Sequence, residues 1–395
     1  MKVYLNALGL VTPIGREKGE VASHLFKGSR AGLIERTDIL PDRAVRVGMV
    51  PCTLPELPVY LSHLDCRNNR LALAALDQIA EAVRETIVRV GSHRIAVVMG
   101  TSTSGIAEGE EALASRLNSG AWPVGFRYSR QEVGNLATFV AAYFAVTGPA
   151  YTITTACSSS AKALASAQRL IATGLCDAAV AGGSDSLCKM TIHGFDSLDA
   201  LARNYCNPFS RNRDGINVGE GAAMFLMSRE PSPVTLLGAG ESSDAYHVSA
   251  PDPEGVGAAC AMNLALEHSG LTPKDIDYVN LHGTATPLND AMEARAVASI
   301  FGSRIPCSST KPMTGHLLGA AGVVEAAFLW LMLEPQFATG LVPPHLWDGV
   351  ADPEIPRLNL APAGHSIGLP ERCAALSNSF AFGGSNASVV LGRGW

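Results

Sequence analysis

The feature that most constrains the fold of this chain is a pattern of strands and loops that occurs twice. Residues 95–103 and residues 276–286 each contain an apolar strand that ends in a loop rich in glycine or threonine. Residues 219–226 are likewise similar to residues 383–391, and both pairs occur in the same order in the two halves of the chain. Such a repeat predicts two copies of one structural unit packed together.

Each copy of the repeat alternates short apolar strands with helical patterns, which predicts an α/β fold. We expect strands at 95–99, 151–155, 178–181, 224–227, 278–281, 374–376 and 388–391. We expect helices at 70–90, 158–173, 257–269, 291–301 and 319–333. We expect a single domain, residues 1–395, made of an N-terminal half (1–238) and a C-terminal half (239–395). The boundary between the halves is placed near Pro231 and Pro233, because these prolines interrupt the pattern.

Composition excludes several classes of protein. The chain is 47% hydrophobic, enough for a large core. Its net charge of -6 and its lack of a run of basic residues argue against nucleic acid as a partner. Its longest apolar stretch, residues 323–333, is interrupted by Glu325 and is too short to span a bilayer. The nine cysteines form neither CxxC pairs nor Cys/His clusters with metal-ligand spacing. We therefore expect a cytoplasmic protein with reduced thiols, no membrane span and no metal.

Cys157 is the first candidate for a functional residue. A strand-like run ends at Thr155, and an Ala-rich helical pattern begins at Ser158, so the thiol lies at the start of a helix. The helix N-terminus favours a thiolate there and would lower the pKa of the thiol. An isolated cysteine is more often a small apolar residue of the core, so this position alone does not establish a nucleophile.

Polar residues in the second half supply possible partners for Cys157. His282 directly follows a predicted strand, at the strand end where open α/β folds bind ligands. Lys311, His316 and Glu325 lie in a segment rich in glycine and alanine that we expect to pack tightly. Because such groups are costly to bury without a partner or a function, they indicate an active site.

Several motifs stand out along the chain. They are Thr155-Ala-Cys157-Ser, Asn207-Pro-Phe-Ser210 with Arg213-Asp-Gly and Gly219-Glu-Gly, His282-Gly-Thr-Ala-Thr, Lys311-Pro-Met-Thr-Gly-His316 with Gly319-Ala-Ala-Gly, and Asn378-Ser-Phe-Ala-Phe382-Gly-Gly-Ser-Asn386. In order and spacing they make this chain resemble the elongating β-ketoacyl-[acyl carrier protein] synthases, over essentially its whole length. The resemblance implies the thiolase fold, in which two pseudo-duplicated βα halves form a five-layered αβαβα core, in agreement with the repeat.

The resemblance also implies a reaction. An acyl group would move from the phosphopantetheine arm of an acyl carrier protein to Cys157, which suits a soft sulfur nucleophile. Decarboxylation of malonyl carrier would then give an enolate, stabilised by N–H groups of His282 and His316, that attacks the acyl-cysteine. No cofactor would be bound by the chain itself, because the phosphopantetheine arrives on the carrier protein.

Further residues take supporting roles by the same resemblance. Lys311, paired with Glu325, would hold His316 in place. Thr284 and Thr286 would hydrogen bond to the pantetheine arm. Phe382 would be the gating residue, with its backbone N–H and that of Cys157 holding the oxyanion of the acyl-cysteine, although on sequence alone a core aromatic beside a tight glycine turn explains Phe382 equally well.

Departures from the housekeeping enzymes indicate a specialised pathway. The three serines after Cys157 and residues 66–70 favour a polyketide-like enzyme, and we expect the aryl polyene type. The resemblance implies a homodimer, or a heterodimer with a subunit like a chain-length factor. Three relatives are disfavoured: Cys373 is not in a thiolase-type Cys-x-Gly motif, His316 stands where initiating synthases have asparagine, and a non-catalytic partner would lack Cys157. A non-enzymatic scaffold would not need these groups.

Overall fold

Strands and helices alternate along residues 2–395, which the computed structural model describes. The strands are β1 (Val3–Val11), β2 (Leu33–Arg36), β3 (Val45–Gly48), β4 (Ile95–Gly100), β5 (Ala150–Ile153), β6 (Ala178–Asp185), β7 (Gly221–Ser228), β8 (Val234–Ser243), β9 (Tyr278–Asn280), β10 (Pro306–Ser308), β11 (Asn359–Leu360), β12 (Cys373–Phe380) and β13 (Ser385–Arg393). The helices are α1 (Lys18–Lys27), α2 (Arg67–Leu76), α3 (Ala80–Val90), α4 (Ile106–Ser119), α5 (Asn135–Phe144), α6 (Ser159–Ala172), α7 (Lys189–Ser197), α8 (Val256–Ser269), α9 (Pro287–Phe301), α10 (Lys311–Thr314) and α11 (Ala321–Leu333).

The sheet topology contains the same five-strand arrangement twice. Eleven strands follow the order β11-β10-β9-β12-β13-β8-β1-β7-β6-β4-β5. From the outside inward, β5-β4-β6-β7-β1 in one half matches β10-β9-β12-β13-β8 in the other, with two parallel pairings followed by two antiparallel ones in each. The two similar segment pairs lie on equivalent strands, β4 with β9 and β7 with β13. The predicted duplication is confirmed.

The side chains of the sheet alternate between two hydrophobic layers in each half. Ile95 and Val97 of β4 face the outer helices α2, α3 and α5, whereas Ala96 and Val98 face the central layer. In the other half, Val389 of β13 faces the central layer and Val390 faces α8 and α9. Helices α6 and α11 fill the central layer, so the order of layers is αβαβα, as predicted.

Close backbone contacts position α6 and α11 in this central layer. A Cβ on Gly100, at the end of β4, would lie 2.4 Å from the Ser160 nitrogen. A Cβ on Gly322 of α11 would lie 2.9 Å from the Ala161 nitrogen of α6. Both distances are too short for any side chain, so glycine lets these two helices approach the sheet and each other. The start of α6, where Cys157 lies, is thereby fixed against both halves.

Some element boundaries differ from those predicted. The predicted helix 70–90 is two helices, because a 3-10 turn at Asp77–Ile79 separates α2 from α3, and the Gln78 amide there donates to the Leu10 carbonyl at 2.8 Å. Pro231 and Pro233 do not interrupt the fold with a long loop, because β8 begins directly after Pro233. Helix α9 begins four residues earlier than predicted, with Pro287 in its first turn, where proline has no N–H to leave unsatisfied.

The apolar stretch noted in the sequence is part of the core. Every residue of α11 is buried, including Glu325. None of the helices in residues 2–395 has the length and the apolar run needed to cross a membrane.

Candidate active site

The predicted site residues come together where the parallel strands of both halves end. Cys157 follows β5, His282 follows β9, and Lys311 and His316 follow β10. All four side chains are buried. Strands β5 and β10 occupy equivalent positions in the two halves, so the duplication of the fold brings the nucleophile and the second histidine to face each other.

A strained turn presents Cys157. Ala156 has a φ of 50°, in the left-handed region that alanine rarely adopts, and α6 begins two residues after Cys157. The Ser159 hydroxyl donates to the Ala156 carbonyl at 2.6 Å and accepts from the Thr155 N–H at 2.9 Å. These bonds compensate for the strain and fix the direction of the sulfur.

His316 is the direct partner of the cysteine. Its Nε2 lies 2.9 Å from Cys157 Sγ. The backbone of His316 is held by its N–H donating to the Asn217 carbonyl at 2.6 Å and by its carbonyl accepting from the Gly219 N–H at 2.9 Å. Within residues 2–395, His316 Nδ1 has no hydrogen-bond partner. No neighbour therefore fixes the tautomer of this ring, and Nε2 can act as acceptor or as donor.

The expected lowering of the Cys157 pKa is not found in the resting site. Burial raises the pKa of this thiol to about 12, although the Lys311 charge and a hydrogen bond from the Phe382 backbone N–H act in the opposite direction. The prediction was wrong because it considered the helix N-terminus without the loss of solvent around the sulfur. The resting pair is thus a neutral thiol beside an imidazole that can accept its proton.

His282 completes a compact group with Cys157 and His316. One ligand atom from each of the three residues lies within 4.8 Å of the others, and the two imidazole rings are nearly perpendicular, with centroids 5.3 Å apart. Burial, followed by the charge of Lys311, holds the pKa of both histidines well below the ordinary value. Both rings are therefore neutral at physiological pH, and each carries a single N–H that it can donate.

Lys311 supports His282 rather than His316, which corrects the sequence-based prediction. Its Nζ donates to the His282 carbonyl at 2.5 Å and lies 3.4 Å from His282 Nδ1. Because an ammonium group has only donors, Nδ1 must be an acceptor, which leaves the His282 proton on Nε2. Nζ also donates to Glu325 at 2.6 Å, so the predicted lysine–glutamate contact is present. Burial raises the pKa of Glu325, and Lys311 opposes that shift.

Glu293 is a site residue that the sequence did not reveal. From α9 it accepts the backbone N–H groups of His282 and Gly283, each at 2.7 Å, and the Asn378 amide at 3.2 Å. Burial raises the pKa of Glu293 to about 7, against these N–H groups, which lower it. Three donors on its two oxygens fix the loop that carries His282. A glutamate within a helical pattern gives no signal of this role.

Asp185 is a second buried carboxylate that sequence reasoning missed. One of its oxygens accepts from the backbone N–H groups and hydroxyls of the loop after β4, including Thr103 at 2.7 Å. The other accepts from the Ala320 N–H at 3.0 Å, next to α11. Asp185 therefore joins the two halves beside the site. One indication of this role was present in the sequence, because Asp185 lies at the end of a buried strand.

Thr284 and Thr286 lie in the buried loop after His282. Their hydroxyl oxygens are 2.9 Å apart, and Thr286 directly precedes α9. Phe382 lies in the hairpin Ala381–Gly384 between β12 and β13, which we call the Phe382 hairpin. Its half-buried ring packs against Phe195, with centroids 5.7 Å apart. The structure thus places the threonines beside His282 and the hairpin beside Cys157.

Comparisons with known proteins agree with this geometry. Residues 66–232 match the family described as beta-ketoacyl synthase, N-terminal domain, and residues 234–346 match its C-terminal domain. A 3-oxoacyl-[acyl-carrier-protein] synthase 2 from Staphylococcus aureus is 30% identical, over 99% of this chain and 98% of that protein. A protein of the same name from Rhizobium meliloti is 40% identical over a shorter alignment, covering 62% of this chain and 61% of that protein.

A solved structure supports the same assignment. It is a ketosynthase in complex with its chain length factor from Xenorhabdus doucetiae, and its TM-score against this chain is 0.94. The two chains are 45% identical, and the match covers 99% of this chain and 98% of the other. The chain therefore belongs to the β-ketoacyl synthase family of condensing, acyltransferase-type enzymes.

Proposed function

We propose that this protein catalyses the decarboxylative condensation of an acyl group held on Cys157 with malonyl-[acyl carrier protein]. The observation that supports this most strongly is the packing of one thiol and two neutral imidazoles within 4.8 Å of one another at the junction of the two halves. The sulfur and the two ring nitrogens are close enough together to ligate a metal ion, but the proposed reaction needs all three atoms without a metal.

The first half-reaction loads the enzyme. Cys157 Sγ attacks the thioester carbonyl of acyl-pantetheine, while His316 Nε2, 2.9 Å away, accepts the thiol proton. The bond between the carbonyl carbon and the pantetheine sulfur then breaks. His316 returns the proton to the departing thiolate, so the products are acyl-Cys157 and carrier with a free thiol.

The second half-reaction forms the carbon–carbon bond. The carbon–carbon bond to the malonyl carboxylate breaks and releases CO2, and the electron pair forms an enolate whose oxygen accepts N–H groups from His282 and His316. After acylation no thiol proton faces His316 Nε2, and the single proton of the neutral ring moves through solvent from Nδ1, which has no partner within residues 2–395, to Nε2, which then donates it. The enolate carbon attacks acyl-Cys157, the cysteine leaves as a thiolate, and one proton from solvent restores the thiol.

Substrates would arrive attached to an acyl carrier protein, and the enzyme would need no bound cofactor of its own. We assign Thr284 and Thr286 to the pantetheine arm, because their hydroxyls lie directly after His282 in the loop that precedes α9. All nine cysteines are unpaired, which is consistent with a reducing compartment, and we place the enzyme in the cytoplasm.

We also propose a heterodimer with a subunit like a chain-length factor, in a pathway of the aryl polyene type. The Xenorhabdus ketosynthase, 45% identical, was solved with such a partner. In this chain β5 is an edge strand of the sheet. An exposed apolar surface, the α4–α5 surface, lies on α4 and on the loop that leads to α5. It consists of Leu113, Leu117, Trp122, Val124 and Tyr128. The three serines after Cys157 favour the specialised pathway.

Intact-mass analysis tests the loading step. The enzyme is incubated with a panel of acyl carriers that includes saturated and aryl-polyenoyl groups. We expect the acyl mass on Cys157, greatest with the aryl-polyenoyl carrier, and none in Cys157→Ala. Replacing His316 by alanine should slow condensation about 100- to 1000-fold. An acyl mass that persists in Cys157→Ala, or condensation that is unaffected by the His316 change, would contradict the proposal.

A further inference from the structure

The three serines after Cys157 are fully buried, and each hydroxyl contacts a different part of the site. Ser159 bonds within the turn at Ala156, as described above. Ser160 Oγ accepts the Val323 N–H at 2.9 Å, which satisfies a free donor in the first turn of α11. Ser158 instead contacts the C-terminal hairpin. The run therefore connects Cys157 to α11, which carries Glu325, and to the hairpin that carries Phe382.

Ser158 has a choice of hydrogen-bond partners. Its Oγ lies 3.0 Å from Ser385 Oγ, 2.9 Å from the Thr155 carbonyl and 3.0 Å from Thr155 Oγ1. Ser385 is the first residue of β13 and directly follows the Phe382 hairpin. A hydroxyl has only one proton, so Ser158 can donate to Ser385 or to the Thr155 carbonyl, but not to both.

We propose that Ser158 is a positioning residue, which holds the Phe382 hairpin closed through Ser385 and so keeps the Phe382 N–H directed at the Cys157 sulfur. This inference rests on the proposed condensation. In the structure the Phe382 N–H lies close enough to the sulfur to oppose the rise in the pKa of the thiol. The same N–H is suitably placed to stabilise the oxyanion that forms when the enolate attacks acyl-Cys157.

The geometry also allows the bond between Ser158 and Ser385 to break at little cost. If Ser385 moves away, the Ser158 proton can turn to the Thr155 carbonyl, so no buried donor is left without a partner. Within the hairpin, Gly383 has a φ of 87°, and a Cβ there would have no heavy atom within 4 Å. The space around Gly383 leaves room for the tip of the hairpin to move. Its base is held by Ser158 and by the Asp244 N–H, which donates to the Gly384 carbonyl at 2.8 Å.

The two histidines and the hairpin act on different steps, which makes the role of Ser158 measurable. Decarboxylation depends on His282 and His316, neither of which contacts Ser158 through the bonds described above. Attack on acyl-Cys157 depends on the Phe382 N–H. A displaced hairpin should therefore leave enolate formation intact but slow its attack on acyl-Cys157. The enolate that is not captured takes a proton from solvent, so CO2 and acetyl carrier are released without a condensation product.

The test measures the ratio of CO2 released to β-ketoacyl product in Ser158→Ala, Ser385→Ala and the double variant. Wild type should release one CO2 for each product. Since complete loss of an oxyanion donor costs about 100- to 1000-fold, we expect displacement of one to slow condensation about tenfold. The ratio should rise several-fold, and the double variant should match the single ones because all three remove one bond.

Ser228→Ala is the matched control, because this buried serine donates to Asn6 at the far end of β7, away from the site. Its ratio should equal that of wild type. Equal loss of CO2 and product in both single variants, with the ratio unchanged, would overturn the role of Ser158. If Ser158→Ala does not fold, Ser385→Ala removes the same hydrogen bond by changing its other partner, which is only partly buried. A wild-type enzyme that forms no product would instead overturn the proposed condensation itself.

Discussion

At the scale of single residues, the ion pair between Lys311 and Glu325 determines which ring nitrogen of His282 carries the proton. Both side chains are almost completely buried, and their charged atoms are 2.6 Å apart. The pair is not primarily a source of stability, because the attraction between buried charges is largely offset by their loss of solvent. Its function is to place a cation beside His282 Nδ1 and so to fix the proton on Nε2.

Removing one member of this pair should cost more than removing both. In Lys311→Met the buried Glu325 loses its partner, and we expect the free energy of unfolding to fall by about 3–5 kcal/mol. In Lys311→Met with Glu325→Leu no buried charge remains, and most of that loss should be recovered. Urea unfolding measures both variants. A double variant as unstable as Lys311→Met would show that the uncompensated charge is not the cause.

The raised pKa of Cys157 predicts how its reactivity changes with pH. Only the thiolate is alkylated rapidly, and below a pKa of about 12 the thiolate fraction rises about tenfold per pH unit. The rate of labelling of Cys157 by iodoacetamide should therefore rise from pH 7 to pH 9 without reaching a plateau. Peptide mass analysis follows Cys157, with the exposed Cys260 as internal reference. A plateau with a midpoint below pH 7 would show that the helix N-terminus outweighs burial.

At the scale of elements, the site depends on how closely α6 and α11 approach. A Cβ added to Gly322 would meet the α6 backbone at 2.9 Å, which cannot be relieved by turning a side chain. We expect Gly322→Ala to lower the free energy of unfolding by about 1–3 kcal/mol and to reduce condensation, because both helices carry site residues. Thermal unfolding and activity assays measure these effects.

Gly194 of α7 provides the control for this substitution. It is exposed, and a Cβ there would have no heavy atom within 4 Å. Gly194→Ala should therefore raise the free energy of unfolding by about 0.5–1 kcal/mol, since alanine is the better helix former. If the two glycine variants behaved alike, close packing between α6 and α11 would not be what constrains residue 322.

The sequence predicted correctly those features that can be recognised from short segments of the chain. The strands before Cys157 and His282 follow from local residue patterns, and the duplication follows from the similar segments in the two halves. The partners of Lys311 did not follow, because the choice between His282 and His316 depends on how α10 packs against the loop after β9. Glu293 was missed for the same reason. The predicted pKa of Cys157 was wrong because the thiol is buried among groups that are distant in sequence, including His316 and Phe382.

At the scale of the whole molecule, the active site is complete only where the two halves meet. The N-terminal half contributes Cys157, and the C-terminal half contributes both histidines, Lys311 and the Phe382 hairpin. Duplication places equivalent strand ends opposite each other, so one half supplies the nucleophile and the other supplies the groups that act on it. The exposed α4–α5 surface belongs to the N-terminal half.

The proposed subunit contact predicts a selective effect at the α4–α5 surface. Leu117 is 77% exposed on α4, so Leu117→Asp should not disturb the core. If a chain-length-factor-like subunit covers this surface, the substitution should weaken association about tenfold or more, measured by analytical ultracentrifugation of the co-expressed pair. Val88→Asp is the control, because Val88 is 88% exposed on α3, outside this surface. Equal association of both variants would place the partner elsewhere.

The most direct test of the whole account is a single turnover of enzyme that has been acylated in advance on Cys157. When malonyl carrier is added, mass analysis should show the acyl group leaving the enzyme. A β-ketoacyl group two carbons longer should appear on the carrier, with one CO2 released for each. Return of the unchanged acyl group to the carrier, or its hydrolysis without a new carbon–carbon bond, would contradict the assignment of Cys157, His282 and His316 to a decarboxylative condensation.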